Sequence, residues 1–81
     1  MQRTQSLQTL VTAGIRYRLA ILQKSQYWLA DHIGMSTYSL SRRMVGKKTF
    51  SVDEVDTVAA ALGTDFEGLI ALPQDSYKQL S

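Results

Sequence analysis

The stretch from Ser25 to Gly46, SQYWLADHIGMSTYSLSRRMVG, leaves the chain few ways to fold. Ser25 and Ser36 are helix-starting residues, and each precedes a short segment whose apolar side chains fall on one side. Leu29, Ala30 and Ile33 follow the first serine, and Leu40 and Met44 follow the second. Gly34 stands where the first helix must end, because the position just past a helix favours the left-handed backbone that glycine adopts without steric cost. Met35 then returns an apolar side chain to the interior, and Gly46 stops the second helix. Two short helices separated by so few residues must cross at a steep angle. Ala30 is small where they touch, and Leu29, Ile33, Met35 and Leu40 form the wedge that fixes the crossing.

The remaining residues supply what this pair must pack on. Leu7, Leu10, Val11, Gly14, Ile15, Leu19 and Leu22 recur at steps of three and four, which predicts a first helix beginning at about Ser6. Arg16, Tyr17, Arg18 and Gln23 lie off or beside that stripe, and Gly14 within it marks a close approach by another helix. The paired helices expected next run from Gln26 to Ile33 and from about Thr37 to Val45. Lys47 to Phe50 reads as a loop anchored by Phe50. Ser51-Val-Asp-Glu54 has the spacing of a capping box, and Val55, Val58, Ala59 and Leu62 give the fourth helix its buried stripe up to Gly63. Thr64-Asp-Phe-Glu67 reads as a second capping box, opening a short fifth helix with Phe66, Leu69 and Ile70 that Pro73 ends. The expected fold class is all-α, a compact five-helix domain over residues 1–72, with residues 73–81 as a mobile or dimerisation segment anchored only by Tyr77 and Leu80.

Composition narrows the function classes. A chain of 81 residues has room for one core, and without cysteine it can have neither a disulfide nor a thiolate metal site. Its single histidine, His32, cannot build a metal site alone, so no cofactor is expected. No apolar run approaches the length of a membrane span, and no secretory signal pattern opens the chain. The default expectation is a cytoplasmic, nucleoid-associated protein with no membrane partner. Ser36, Ser39 and Ser41 lack a histidine and acid constellation, the acids cluster at helix starts, and there is no glycine-rich phosphate loop, so catalysis is not expected.

The net charge of +2 conceals a strong polarity. Residues 1–48 carry eight Lys or Arg against the single acid Asp31, while residues 49–81 carry Lys78 against six acids. Such a basic half suits a phosphate-bearing partner, although it is also compatible with ordinary solvated charge.

Together these features describe a helix-turn-helix, in which the second helix projects into the major groove of DNA and the first crosses above it on the backbone. The segments SQYWLADHIGMS and SLSR, Gly46, and the downstream SVDEVDTVAAALGTDFEGLI resemble the Cro and phage-repressor type of helix-turn-helix domain, also called the xenobiotic-response-element type. The resemblance covers about residues 15 to 70 and implies a lambda-repressor-like fold. It also implies that Gln26 touches a phosphate and braces the recognition helix, that Thr37, Tyr38 and Ser41 face base edges, and that Arg42 contacts a base or a phosphate. Where the family usually carries an apolar residue this chain has Arg43, and the apolar side chain comes one place later at Met44. Tyr27 and Trp28 also replace residues that are commonly polar in the family.

Other positions are assigned from their place in the motif. Arg43, Lys47 and Lys48, at and beyond the end of the recognition helix, are expected to meet backbone phosphates. Ser36 is read either as a plain N-cap or, with the helix N-terminus behind it, as a phosphate contact. Ser39 is grouped with the phosphate-facing residues, and Lys24 is a flanking phosphate contact or a solvated charge. Tyr38 can reach a thymine methyl or a phosphate, or can pack as a partly buried residue. Tyr27 and Trp28 are expected to pack on the first helix, over Arg18, and His32 to be a surface residue. An interface this small implies two copies on a pseudo-palindromic site of double-stranded DNA, that is, a homodimer at least on DNA, formed through Phe66 to Leu80. The function expected is a transcriptional regulator, a Cro-like repressor of a phage or mobile element. An excision-control protein, or a protein-interaction module such as an antitoxin or anti-repressor working through Tyr27 and Trp28, is the alternative.

Overall fold

The computed structural model of the chain describes residues 6–71, which form five helices and, among those residues, no strand. The first helix, α1 (Leu7–Leu22), starts where the Ser6 hydroxyl accepts the Thr9 backbone N–H. It ends in a way the sequence does not announce: the left-handed residue is Gln23, with φ of 58°. There the Lys24 N–H closes the turn onto the Leu19 carbonyl at 2.9 Å. Glycine is the usual occupant of this position, so its absence hides the stop.

Helices α2 (Gln26–Ile33) and α3 (Thr37–Met44) form the expected pair. Ser25 and Ser36 are their N-caps, accepting the N–H groups of Trp28 and Ser39, each at 3.0 Å. Gly34 takes the left-handed conformation at φ of 75°, and the Met35 N–H returns to the Ala30 carbonyl. Leu29, Ala30 and Leu40 are wholly buried, while Ile33 and Met35 pack half-buried at the edge of the core. The recognition-type helix is one residue shorter than expected, because Val45 is its C-cap and is exposed.

The capping box before α4 (Val52–Ala61) is present in both of its halves. The second expected box is not. Helix α5 (Phe66–Ile70) is capped by Asp65, whose carboxylate accepts the Gly68 N–H at 2.8 Å. Thr64 is instead used to finish α4: its N–H bonds the Ala59 carbonyl at 2.9 Å across the left-handed Gly63. With the Thr64 N–H spent on closing α4, it is not left for the Glu67 side chain that a capping box would bring to it, and the cap of α5 comes from the next residue, Asp65.

One core holds these elements, with Val11, Ile15, Leu29, Leu40, Val58 and Leu69 at its centre. α1 packs on α5 and α4, and α2 bridges α3 to α4. Gly14 has the expected close neighbour, since a Cβ there would overlap the backbone carbonyl of Leu69. Phe50 is the loop anchor, while Leu7 and Leu22 sit at the margin of the stripe and remain largely exposed. No helix among the described residues is long and apolar enough to cross a membrane. The segment 73–81, and with it most of the expected dimerisation surface, lies outside the described residues.

Candidate nucleic-acid interface

The candidate surface is built on α3, and its chemistry follows from how that helix divides. Leu40 and Met44, four residues apart, are buried and set the roll of the helix against the core. Thr37, Tyr38 and Ser41 consequently face outward, and Tyr38 is 70% exposed, which excludes the packing role open to it from sequence. Arg42 is half-buried, with its guanidinium carbon 5.8 Å from the centroid of the Tyr38 ring, a cation–π pair at the four-residue helical spacing. Lys47 and Lys48 are exposed beyond the helix end, where their N–H groups both fold back on the Arg42 carbonyl. Ser36 is a true N-cap, and its hydroxyl is engaged with the Ser39 N–H, while Ser39 itself is half-buried.

Arg43 corrects the expectation most sharply. It is buried, its side chain only 10% exposed, and it forms a two-point pair with Glu54 of α4: Nε to Oε1 at 3.0 Å and Nη2 to Oε2 at 3.1 Å. Its remaining edge donates from Nη1 to the Ser39 carbonyl at 3.0 Å. The guanidinium is therefore turned into the protein and paired there with an acid, away from the surface a phosphate would meet. Arg43 and Met44 are both buried on the inward side of α3, and Glu54 receives the guanidinium there. Glu54 meanwhile accepts the Ser51 N–H at 2.9 Å as part of the capping box. The Arg43 hydrogen bonds, then the Ser51 N–H, and the positive charges of Arg43 and Lys48 hold its carboxyl below the usual value of 4.5 against the opposing effect of burial.

Ahead of α3, Lys24 and Gln26 are exposed at the start of α2. Lys24 is more than a solvated charge: its Nζ lies 5.4 Å from the Trp28 ring centroid, and His32 stacks on the same ring at 5.0 Å and 28° between planes. Trp28 is half-buried against the core, but Tyr27 is 72% exposed, so the aromatic pair divides and Tyr27 stands in solvent. Arg18 instead donates to the Gly68 carbonyl at 3.4 Å. The segment from Lys24 to Lys48 thus presents Lys24, Gln26, Thr37, Tyr38, Ser41, Arg42, Lys47 and Lys48 to solvent, wholly or in part.

No family model matches the chain, and no curated protein matches it. Two solved structures have its architecture. A hypothetical transcription factor, NHTF, from Neisseria superposes with a TM-score of 0.79 at 23% identity, covering 98% of this chain and 91% of that one. The clp gene regulator ClgR from Corynebacterium glutamicum gives 0.74 at 24% identity, covering 96% and 89%. At these identities the likeness establishes the fold: a small helical domain of the kind those two proteins contain.

Three polar ties that mount α3 go beyond what the sequence reading anticipates. One is the Arg43–Glu54 pair. Another runs from Arg16 of α1 to the Met44 carbonyl at 3.2 Å, satisfying a backbone acceptor that the end of α3 would leave open. The third joins Gln8 to the loop after α3, with Oε1 accepting the Phe50 N–H at 2.8 Å and Nε2 donating to the Phe50 carbonyl at 3.3 Å. For Arg43 a signal existed, since a basic residue on the inward face of a helix demands an acid, and Glu54 stood at a known cap. Gln8 and Arg16 carried none, because their partners are backbone groups distant in sequence.

Proposed function

We propose that this chain is a sequence-specific DNA-binding transcriptional regulator that lays α3 in the major groove of double-stranded DNA. The observation that carries the reading is the division of α3: a face buried by Leu40, Arg43 and Met44 and braced by α1 and α4, and a free face with Tyr38, Ser41 and Arg42 beside Lys47 and Lys48. A helix mounted rigidly on one side and polar and cationic on the other is what groove entry requires. The description of NHTF as a hypothetical transcription factor and of ClgR as a gene regulator supports the same role.

In this reading Thr37, Tyr38, Ser41 and Arg42 face base edges, and Arg42 supplies the two-point contact that guanine accepts. Lys24, Gln26, Ser36, Ser39, Lys47 and Lys48 line the phosphates. The first-turn N–H groups of Thr37 and Tyr38, which have no helical acceptor, add the anion-binding character of a helix N-terminus. Two copies bind half-sites about one helical turn apart, in the manner of a small Cro-like regulator of a phage or mobile element. The test is retention of a random duplex pool at low salt by the wild type and by the double variant Arg42→Ala/Lys47→Ala. At least a tenfold loss in the variant is expected. Unchanged retention overturns the reading in favour of a protein-interaction module, for which the exposed Tyr27 is the surface to examine.

A further inference from the structure

Helical period alone makes Tyr38 and Arg42 two separate outward residues, but the structure couples them. No hydrogen bond ties the Arg42 guanidinium to the protein among the described residues, yet the side chain is half-buried, and the group it lies against is the Tyr38 ring, 5.8 Å from centroid to guanidinium carbon. The contact uses the face of the ring. It leaves the Tyr38 hydroxyl outside the interaction, and it leaves the N–H groups of the arginine for an incoming acceptor. An unrestrained arginine must give up the freedom of a long side chain when it docks on a base, whereas one already held in place gives up less.

We infer that Tyr38, though it faces the base edges, serves there as a positioning residue for Arg42: its ring holds the guanidinium ready for the two acceptors on the major-groove edge of one guanine, and its hydroxyl adds no base discrimination. This rests on the proposed DNA-binding function and deepens it by fixing which residue sets the strength of guanine recognition. Four consequences separate it from independent reading. The ring matters and the hydroxyl does not. The effect of Tyr38 falls on the base pair that Arg42 reads. It disappears once Arg42 is gone. Fold stability is unaffected, because both side chains lie on the free face.

The experiment has two arms. In the first, sites are enriched from a random duplex pool with the wild-type protein, and affinities of Tyr38→Phe, Tyr38→Ala, Arg42→Ala and the double variant are measured on the best site and on sites with each guanine replaced singly by 7-deazaguanine. Tyr38→Phe should keep the wild-type discrimination. Tyr38→Ala should lose roughly two- to fivefold of it, at the guanine identified by Arg42→Ala and at no other, with no further loss in the double variant. In the second arm, the side-chain order of the Arg42 Nε–H group is measured by NMR relaxation on the free protein. It should be higher in the wild type and Tyr38→Phe than in Tyr38→Ala. A loss at a different base pair, an equal loss in Tyr38→Phe, or unchanged Arg42 order in Tyr38→Ala overturns the inference while leaving DNA binding intact. Failure to enrich any site overturns the function and the inference together.

Discussion

The side chains of Arg42 and Arg43 leave α3 roughly 100° apart, the angle that one helical step imposes, and that step separates two kinds of chemistry. Arg42 lies over the Tyr38 ring on the free face and, among the described residues, commits none of its guanidinium donors to a hydrogen bond. Arg43 points inward and spends its donors on Glu54 and on the Ser39 carbonyl. The same residue type is a candidate reader at one position and a mounting bolt at the next. Charge counted along the sequence therefore overstates the charge offered to a ligand, and the roll of the helix, fixed by Leu40 and Met44, decides which cation is which.

The contrast between the two faces is broken most severely from inside. Leu40 is wholly buried at the contact of α3 with the core, so Leu40→Ala should cost about 2–5 kcal/mol of folding stability. Ser41→Ala, one residue on and exposed, should stay within about 0.5 kcal/mol. Urea unfolding of the two variants checks this directly, and equal costs would mean that the helix is rolled differently.

The two arginines make the next test. Arg43→Ala leaves Glu54 without its partner, and because that carboxylate side chain is 30% exposed the loss should fall at about 1–3 kcal/mol, below the figure for a fully buried pair. In a domain this small each kcal/mol lowers Tm by about 4–8 °C. Arg42→Ala should leave Tm essentially unchanged and instead lower affinity for the preferred site by about 1–3 kcal/mol, concentrated at one base pair. Thermal melts alongside binding isotherms would show this crossed pattern. A fall in Tm for both variants, or for neither, would erase the distinction.

Glu54 offers a milder way to sharpen it. Its carboxyl is held below 4.5, first by the Arg43 hydrogen bonds and then by the Ser51 N–H. A group whose folded-state value is depressed contributes fully above its unfolded value and loses that contribution as pH falls through the folded value. The gap in urea midpoint between wild type and Glu54→Gln should thus be constant from neutral pH down to about 5 and narrow below about 4.5, toward the protonated limit. In an Arg43→Met background most of that pH dependence should vanish. A gap that persists unchanged to pH 3 would show that the ion pair does not carry it.

What the sequence disclosed and what it withheld divide along the same line. The helices, Gly34, the Ser25, Ser36 and Ser51 caps and the inward Leu29, Ala30, Leu40 and Met44 were legible because each depends on neighbours within a turn or two. The start of α5 differs from the expectation by one residue, since Thr64 and Asp65 are both competent caps, and the structure uses Thr64 to finish α4 and Asp65 to cap α5. The stop at Gln23 had no glycine to mark it. On the candidate surface, the outward direction of Thr37, Tyr38 and Ser41 followed from helical period, but Tyr27 was placed against α1 on the assumption that a large ring seeks burial, and it stands in solvent. Arg43 was assigned by its position near a helix end, when its place beside Met44 on the inward stripe was the stronger constraint. The bonds of Gln8 and Arg16 to backbone carbonyls and N–H groups far away in sequence obey no local rule at all.

The smallest expected effect is also the one that isolates the free face from the mounted one without perturbing the fold. Each cation that neutralises a phosphate contributes about 0.9 to the slope of log affinity against log salt on duplex DNA. Lys47 and Lys48 are exposed just past the end of α3, so Lys47→Ala should reduce that slope by close to this amount while changing affinity alike on preferred and unrelated sequences. Arg43→Met, measured at a temperature where the variant is fully folded, should leave the slope where it was, because its charge is already neutralised by Glu54 and stays so on the complex. The comparison depends on slopes and not on absolute affinities, so a general weakening through looser mounting of α3 would lower the Arg43→Met line without tilting it. A tilt of about 0.9 in that variant would mean that Arg43 leaves Glu54 and reaches a phosphate when DNA binds, and the inward face would then be a reserve of charge as well as a mount.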